Sequence, residues 1–192
     1  MRRPTRAARG LVPALGGLLL AGAAHAAPQE RLAPCIGCHG AGTSATEGVP
    51  SLGGQLPDYV VTQLFQFREK QREAPPMNEV AAGFSDDDLR AYADAVATLP
   101  PPAWSGPPAD AALAARAQAL VTKHQCNSCH GPDLAGRDAI PRIRAQREEY
   151  LAKALAGYKS NARPGYDPAM NEVAQGLSEA DIKDLAAYVS RL

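Results

Sequence analysis

The stretch Cys35-Ile36-Gly37-Cys38-His39 returns as Cys126-Asn127-Ser128-Cys129-His130, and this duplicated C-x-x-C-H pattern constrains the chain more than anything else in it. Two thiols at this spacing can each form a thioether to one vinyl group of a haem, and the adjoining imidazole is then held where it can bind the iron. The chain has 4 cysteines, which make two such motifs with none left over. A single zinc shared by both pairs fits poorly, because zinc ribbons separate their pairs by about 15–20 residues. Here 87 residues lie between Cys38 and Cys126, and a histidine follows each pair. A redox dithiol would sit in a strand-bearing βαβ unit, and no strand pattern is present. The spacing therefore predicts two covalently bound haem c groups, attached at Cys35 and Cys38 and at Cys126 and Cys129. Aromatic residues are only 5% of the chain, so haem would supply apolar bulk that the side chains lack.

The repeat extends well beyond the motifs. At an offset of 91, Gly40 matches Gly131, Pro50 matches Pro141, Leu52 matches Ile143, Gln55 matches Gln146 and Tyr59 matches Tyr150. At an offset of 93, Met77-Asn78-Glu79-Val80-Ala81 matches Met170-Asn171-Glu172-Val173-Ala174. Two homologous units follow, residues 27–99 and 109–192. Between them, residues 100–108 form a linker within a segment, Leu99–Pro108, that holds five prolines. Such a segment excludes helix and sheet and favours a semi-rigid spacer. Trp104, the only tryptophan, is expected to anchor the linker in a groove.

The units read as helical throughout. Ser85 to Asp88 and Ser178 to Asp181 have capping-box form. Leu89, Tyr92, Val96 and Leu99 then recur at helical spacing, as do Ile182, Leu185, Tyr188, Val189 and Leu192. A middle helix starts near Pro57, and Ala111 to Lys123 forms an Ala-rich helix leading into the second motif. Only Pro28 to Pro34 precede Cys35, so the first unit's leading helix is expected to be cut to about a turn. The predicted fold is all-α: two tandem domains, each wrapping one covalently attached haem.

Residues 1–26 carry a basic start (Arg2, Arg3, Arg6, Arg9), an apolar run from Leu11 to Ala24 and an Ala24-His25-Ala26 cleavage site, the pattern of a secretory signal peptide. A periplasmic location is expected. The apolar run is short for a membrane span of about 20 residues. The first unit holds five basic and ten acidic residues, net −5, and the second eleven and ten, net +1. That balance excludes a nucleic-acid binder. It suggests that the acidic unit, with Asp86, Asp87 and Asp88 crowded together, is steered towards a cationic partner.

His39 and His130 are the expected proximal iron ligands. Met77 and Met170 are the only methionines besides the initiator and fall at equivalent places in Pro-containing loops; a thioether on iron suits a high-potential haem. The carbonyls of Pro50 and Pro141, each eleven residues after its histidine, could accept the imidazole Nδ1–H and fix the ring. Leu52 and Ile143 would pack on the haem face. Gln55, Gln146, Tyr59 and Tyr150 are candidates for bonding haem propionates. His124 has no counterpart in the first unit and is read as having a core or surface role.

These residues carry a resemblance. Each unit resembles a class I cytochrome c, and the tandem plan is similar to the dihaem cytochrome c4 family: C-x-x-C-H-G, then Pro50-Ser51-Leu52-Gly53-Gly54-Gln55, a Tyr-bearing helix, Met, and Gly83-Phe84-Ser85-Asp86 opening the last helix. The resemblance implies a periplasmic electron carrier, soluble or peripherally attached to the membrane, and no enzyme in its own right. It would take single electrons from a cytochrome bc complex or a dehydrogenase and pass them towards a terminal oxidase. The alternative is the dihaem electron-accepting subunit of a periplasmic dehydrogenase, such as flavocytochrome c sulfide dehydrogenase. A dihaem peroxidase needs an open iron site, and two well-placed methionines argue against it.

Overall fold

The computed structural model describes residues 28–165 and 168–192, so the expected signal segment lies outside the described residues. Among these residues the chain forms nine helices and no strand, with one isolated bridge between Arg137 and Ile140. The first unit holds α1 (Pro28–His39), α2 (Pro57–Arg68), α3 (Met77–Ala81) and α4 (Asp86–Ala97). The second holds α5 (Ala111–Lys123), α6 (Cys126–His130), α7 (Glu148–Lys159), α8 (Ala169–Gln175) and α9 (Glu179–Val189).

The capping boxes form as read. Ser85 accepts from the Asp88 N–H and Ser178 from the Asp181 N–H, and in each box the aspartate side chain accepts from the serine N–H in return. Each box starts the last helix of its unit, and that helix supplies the core face. α4 packs on α1 and α2, and buries Leu89, Ala93, Ala95 and Val96. With Leu32, Val60 and Leu99 these make the first unit's core. α9 packs on α5 and α7. It divides its face between Ala186 and Val189, which meet Leu134 and Leu151, and Ile182 and Leu185, which meet Leu177. Tyr92 stays half-buried because its ring stacks on Phe84, at 4.6 Å between centroids.

The structure departs from the sequence reading in three places. The first unit's leading helix is not cut to about a turn. It runs from Pro28 through the whole Cys35–His39 motif without a break. In the second unit the same path is interrupted: Gln125 takes a left-handed conformation (φ 51°), and the motif restarts as α6. Secondly, Met77 and Met170 do not sit in plain loops but in the first turns of the short helices α3 and α8. Thirdly, Trp104 is not set in a groove. It is 44% exposed, its indole N–H donates to the Pro107 carbonyl at 2.7 Å, and the Arg191 guanidinium lies 5.3 Å from its ring. It folds over its own linker and is tied to the chain's end by a cation–π contact.

The linker lies across the Pro50–Gln55 loop. The Gly54 N–H donates to the Leu99 carbonyl, and a Cβ on Gly53 would stand 1.9 Å from the Pro100 carbonyl oxygen. Gly53 thus has no room for a side chain, whereas Gly83 has open space around its Cα. Gly53→Ala is expected to cost about 1–3 kcal/mol of stability, as overpacking does, and Gly83→Ala less than about 0.5 kcal/mol. Denaturant midpoints of the two purified variants check the contrast.

Candidate functional site: two paired haem sites

Each histidine is delivered by the end of a helix. His39 closes α1 and His130 closes α6, and each is followed by a glycine in a left-handed conformation, φ +69° at Gly40 and +85° at Gly131. At Gly40 a Cβ would meet the Thr43 carbonyl oxygen at 2.3 Å, so the reversal after the histidine needs glycine. Both imidazoles are buried, at 8% and 6% exposure. His39 Nδ1 lies 2.7 Å from the Pro50 carbonyl oxygen and His130 Nδ1 lies 2.9 Å from that of Pro141. A carbonyl only accepts, so Nδ1 carries the proton and Nε2 keeps a free lone pair. Burial pushes both imidazoles below their ordinary pKa, against the smaller upward pull of the carbonyl bond. Neutral imidazole with Nε2 available is the form that binds a metal.

Cys35 and Cys126 stand one turn earlier, and Cys38 and Cys129 directly precede the histidines. Cys35 and Cys126 are half-buried, and burial pushes both thiols up; Cys38 and Cys129 are exposed. Met77 and Met170 are both half-buried, and each is followed by an asparagine that pins the segment carrying it. Asn78 donates to the Phe67 and Arg72 carbonyls and accepts from the Ala74 N–H. Asn171 donates to the Tyr158 and Arg163 carbonyls and accepts from the Gly165 N–H. All three contacts repeat at the offset of 91, although the asparagines themselves are 93 apart. The Met-Asn-Glu-Val-Ala repeat held this signal, and the sequence reading used only its methionine.

Other residues of the sequence reading fall as follows. Leu52 packs against the first unit's core and Ile143 against the second's. Gln55 and Gln146 are buried, and both reach across to the opposite unit. The Gln55 amide donates to the Arg142 carbonyl at 2.7 Å and accepts from the Arg142 N–H at 3.2 Å. The Gln146 amide donates to the Ser51 carbonyl at 2.9 Å and accepts from the Ser51 N–H at 2.7 Å. Ser51 and Arg142 are themselves equivalent at the offset of 91. The units therefore meet about an approximate two-fold axis. His124 packs on Gly176 as a side-chain neighbour.

Tyr59 and Tyr150 lie at the same junction, joined by two arginines the sequence reading missed. Arg163 donates to Tyr150 and to Tyr59, each at 3.2 Å, and Arg72 reaches Tyr150 at 3.4 Å and also bonds Gln63. Burial pushes the Tyr150 hydroxyl up, yet the Arg163 and Arg72 guanidiniums outweigh it and hold that group at about 7. Burial, reinforced by Tyr150, raises Tyr59 instead. Arg72 and Arg163 are 9% and 8% exposed, and among the described residues neither has a carboxylate partner. Buried cations without anions are costly, so this pair suits a prosthetic group that carries carboxylates. The donor set, free Nε2 atoms beside paired thiols and a methionine segment in each unit, fits haem.

The three aspartates at the start of α4 are not free charges. Asp86 pairs with Arg68 at 2.8 Å, Asp87 with Arg90 at 2.8 Å, and Asp88 lies 3.6 Å from Arg31. The cluster expected to steer a partner is balanced locally. Among the described residues Glu73 and Glu79, on either side of Met77 in the chain, have no ion-pair partner.

Comparison with known proteins agrees with this geometry. The family model described as cytochrome c matches residues 114–192. Cytochrome c4 of Pseudomonas aeruginosa is 31% identical, with 95% of this chain and 98% of that protein aligned. A protein named thiosulfate dehydrogenase electron acceptor, from Stutzerimonas stutzeri, is 29% identical over 82% of this chain and 78% of its own length. The crystal structure of reduced recombinant cytochrome c4 from Pseudomonas stutzeri superposes with a TM-score of 0.77 at 28% identity, covering 86% of this chain and 96% of that one. With two C-x-x-C-H motifs on this fold, the chain belongs to the cytochrome c4 family, an electron-transfer protein with two covalently bound haem c groups.

Proposed function

We propose that this cytochrome works in the periplasm as a carrier of single electrons between respiratory proteins. A cytochrome bc complex or a dehydrogenase would be the donor, and a terminal oxidase the acceptor. His39 and Met77 would hold one haem iron, and His130 and Met170 the other. The haem iron supplies a one-electron couple when bound. The chain's own part is to hold that iron closed on both sides and to exclude water and exogenous ligands. The observation that carries this reading is the matched pair of asparagine clamps: each fixes a methionine segment by three hydrogen bonds, which suits electron transfer and not an open peroxidase site. Residues 27–99 and 109–192 act as the two haem domains, with 100–108 as their tether. The signal segment accounts for export.

A second reading has an observation in its favour. The relative from Stutzerimonas stutzeri is named for accepting electrons from thiosulfate dehydrogenase, so this chain could serve a periplasmic dehydrogenase directly. Stopped-flow mixing separates the two. A respiratory carrier is reduced by membranes holding a cytochrome bc complex and reoxidised by oxidase-containing membranes in a cyanide-sensitive step. Fast reduction by a purified dehydrogenase, with no exchange at the membranes, would favour the acceptor reading.

Ligation is tested by carbon monoxide. The reduced wild-type protein should not bind it readily. Met77→Ala or Met170→Ala should each open one haem, so that half of the total haem takes up the gas. Rapid uptake by the wild type would remove a methionine from the iron and revive the peroxidase reading.

The clamps give a further expectation. Asn78→Ala leaves the Arg72 carbonyl and the Ala74 N–H without their partner, while the Phe67 carbonyl keeps the Lys70 N–H, at a cost of about 1–3 kcal/mol. The weak near-infrared sulfur-to-iron band of that haem should then disappear at lower denaturant than in the wild type. Asn171→Ala should do the same to the other haem.

A further inference from the structure

The carbonyl that holds His39 and the N–H that meets Gln146 belong to one peptide group, the bond from Pro50 to Ser51. His39 Nδ1–H donates to the Pro50 carbonyl at 2.7 Å, and on the other side of the amide the Ser51 N–H donates to Gln146 Oε1 at 2.7 Å. The second unit repeats this through the bond from Pro141 to Arg142. His130 Nδ1–H donates to the Pro141 carbonyl at 2.9 Å, and the Arg142 N–H donates to Gln55 Oε1 at 3.2 Å. A peptide is a delocalised unit. Accepting the N–H proton's charge at one end makes the carbonyl at the other end a stronger acceptor, the cooperativity expected of hydrogen-bond chains in a low-dielectric interior. Ser51 and Gln146 are 1% and 4% exposed, so water does not compete for these groups. The glutamine amide cannot turn away: its Nε2 donates to the carbonyl of the same residue whose N–H it accepts from.

We propose that Gln146 and Gln55 are positioning residues that act across the unit boundary, each strengthening the hydrogen bond behind the opposite unit's ligand histidine and so setting the potential of the opposite haem. A stronger acceptor at Nδ1–H makes the imidazole a more basic ligand, which favours the ferric state and lowers the potential. Coupling of this kind is reciprocal. The oxidation state of one haem therefore biases the bonds that join the units, and separation of the units raises both potentials. The inference rests on His39 and His130 being iron ligands.

The experiment uses the holoprotein and its Gln146→Met and Gln55→Met variants, with potentials assigned haem by haem by NMR redox titration. Q146M should raise the potential of the haem on His39 and weaken the hydrogen bond of the His39 Nδ1–H proton, read from its chemical shift and exchange rate. Q55M should do the same to the haem on His130. Each variant should leave its own unit's haem unmoved. Q146E, which keeps an acceptor facing the Ser51 N–H and gives it negative charge, should move the His39 haem the other way and provides the test if Q146M does not assemble. A shift confined to the haem of the mutated unit, equal shifts of both haems, or no shift would overturn the proposal, and so would a rise with Q146E. Histidine ligation is settled separately, because the Nδ1–H resonances of the wild type are found beside each iron only if His39 and His130 bind it.

Discussion

Each imidazole is held within its own unit by one carbonyl, 2.7 Å away at Pro50 and 2.9 Å away at Pro141, and much of the loop architecture exists to place that carbonyl. Proline has a fixed φ and no N–H, so it presents its carbonyl without a competing donor. The glycine after each histidine turns the chain back so that the proline can return eleven residues later. In the first unit Ser44 ties the return path: it donates to the Cys38 carbonyl, and its N–H is received by Ser51 Oγ. The ligand histidine, the thiols and the proline loop are thus one hydrogen-bonded piece, fixed before any contact with the other unit is counted.

The methionine segments are built differently. No helix face delivers the methionine. A short helix of five or seven residues does, and helices that short are not stable by themselves. Their position comes from the asparagine that follows the methionine, and from the chain reversal after α2 and α7. There Lys70 and Asn161, equivalent at the offset of 91, both take left-handed conformations, φ 55° and 57°. In the first unit the histidine is therefore held by a core helix and a carbonyl, in the second by the short α6 and a carbonyl, and each methionine segment by a few bonds to carbonyls.

What the sequence made legible was whatever the repeat pairs. The histidines, prolines, glutamines and tyrosines were each found twice at an offset of 91 and the methionines at 93, and the capping serines announced the last helices. The partners of those residues were not legible. Gln146 bonds a residue 95 positions away and Gln55 one 87 positions away, and no local periodicity reports such pairings. The repeat named Gln55 and Gln146 as a pair, but propionates were the partners expected. Arg72 and Arg163 were missed although they too are 91 apart, because isolated arginines usually read as surface. The length of α1 was misjudged because only Pro28 to Pro34, the residues before Cys35, were counted as its room, while the helix runs on through Pro34 and the motif to His39. The net charge of the first unit already counts Arg31, Arg68 and Arg90; what counting did not show is that these arginines stand beside Asp88, Asp86 and Asp87.

Among the described residues no helix of one unit packs on a helix of the other. The junction is made by loops and by two tyrosines on α2 and α7: two glutamine amides meet two backbone strips, and two arginines are shared among tyrosines. Polar contacts of this kind trade against water and yield little net free energy when the partners are free in solution. Here they need not drive association. The proline-rich tether keeps the units at high effective concentration, and the loop Pro50–Gln55 is held beneath that tether by the Gly54 N–H to Leu99 bond. Directional bonds then do what an apolar patch does poorly: they fix the register of one unit on the other. A one-residue slip would set Gln146 against the wrong peptide and leave buried donors and acceptors unpaired at both ends of the axis. The same bonds that specify the pairing end on the two peptides whose carbonyls hold His39 and His130, so in this fold the contacts that assemble the units and those that fix the two imidazoles share the same peptide groups.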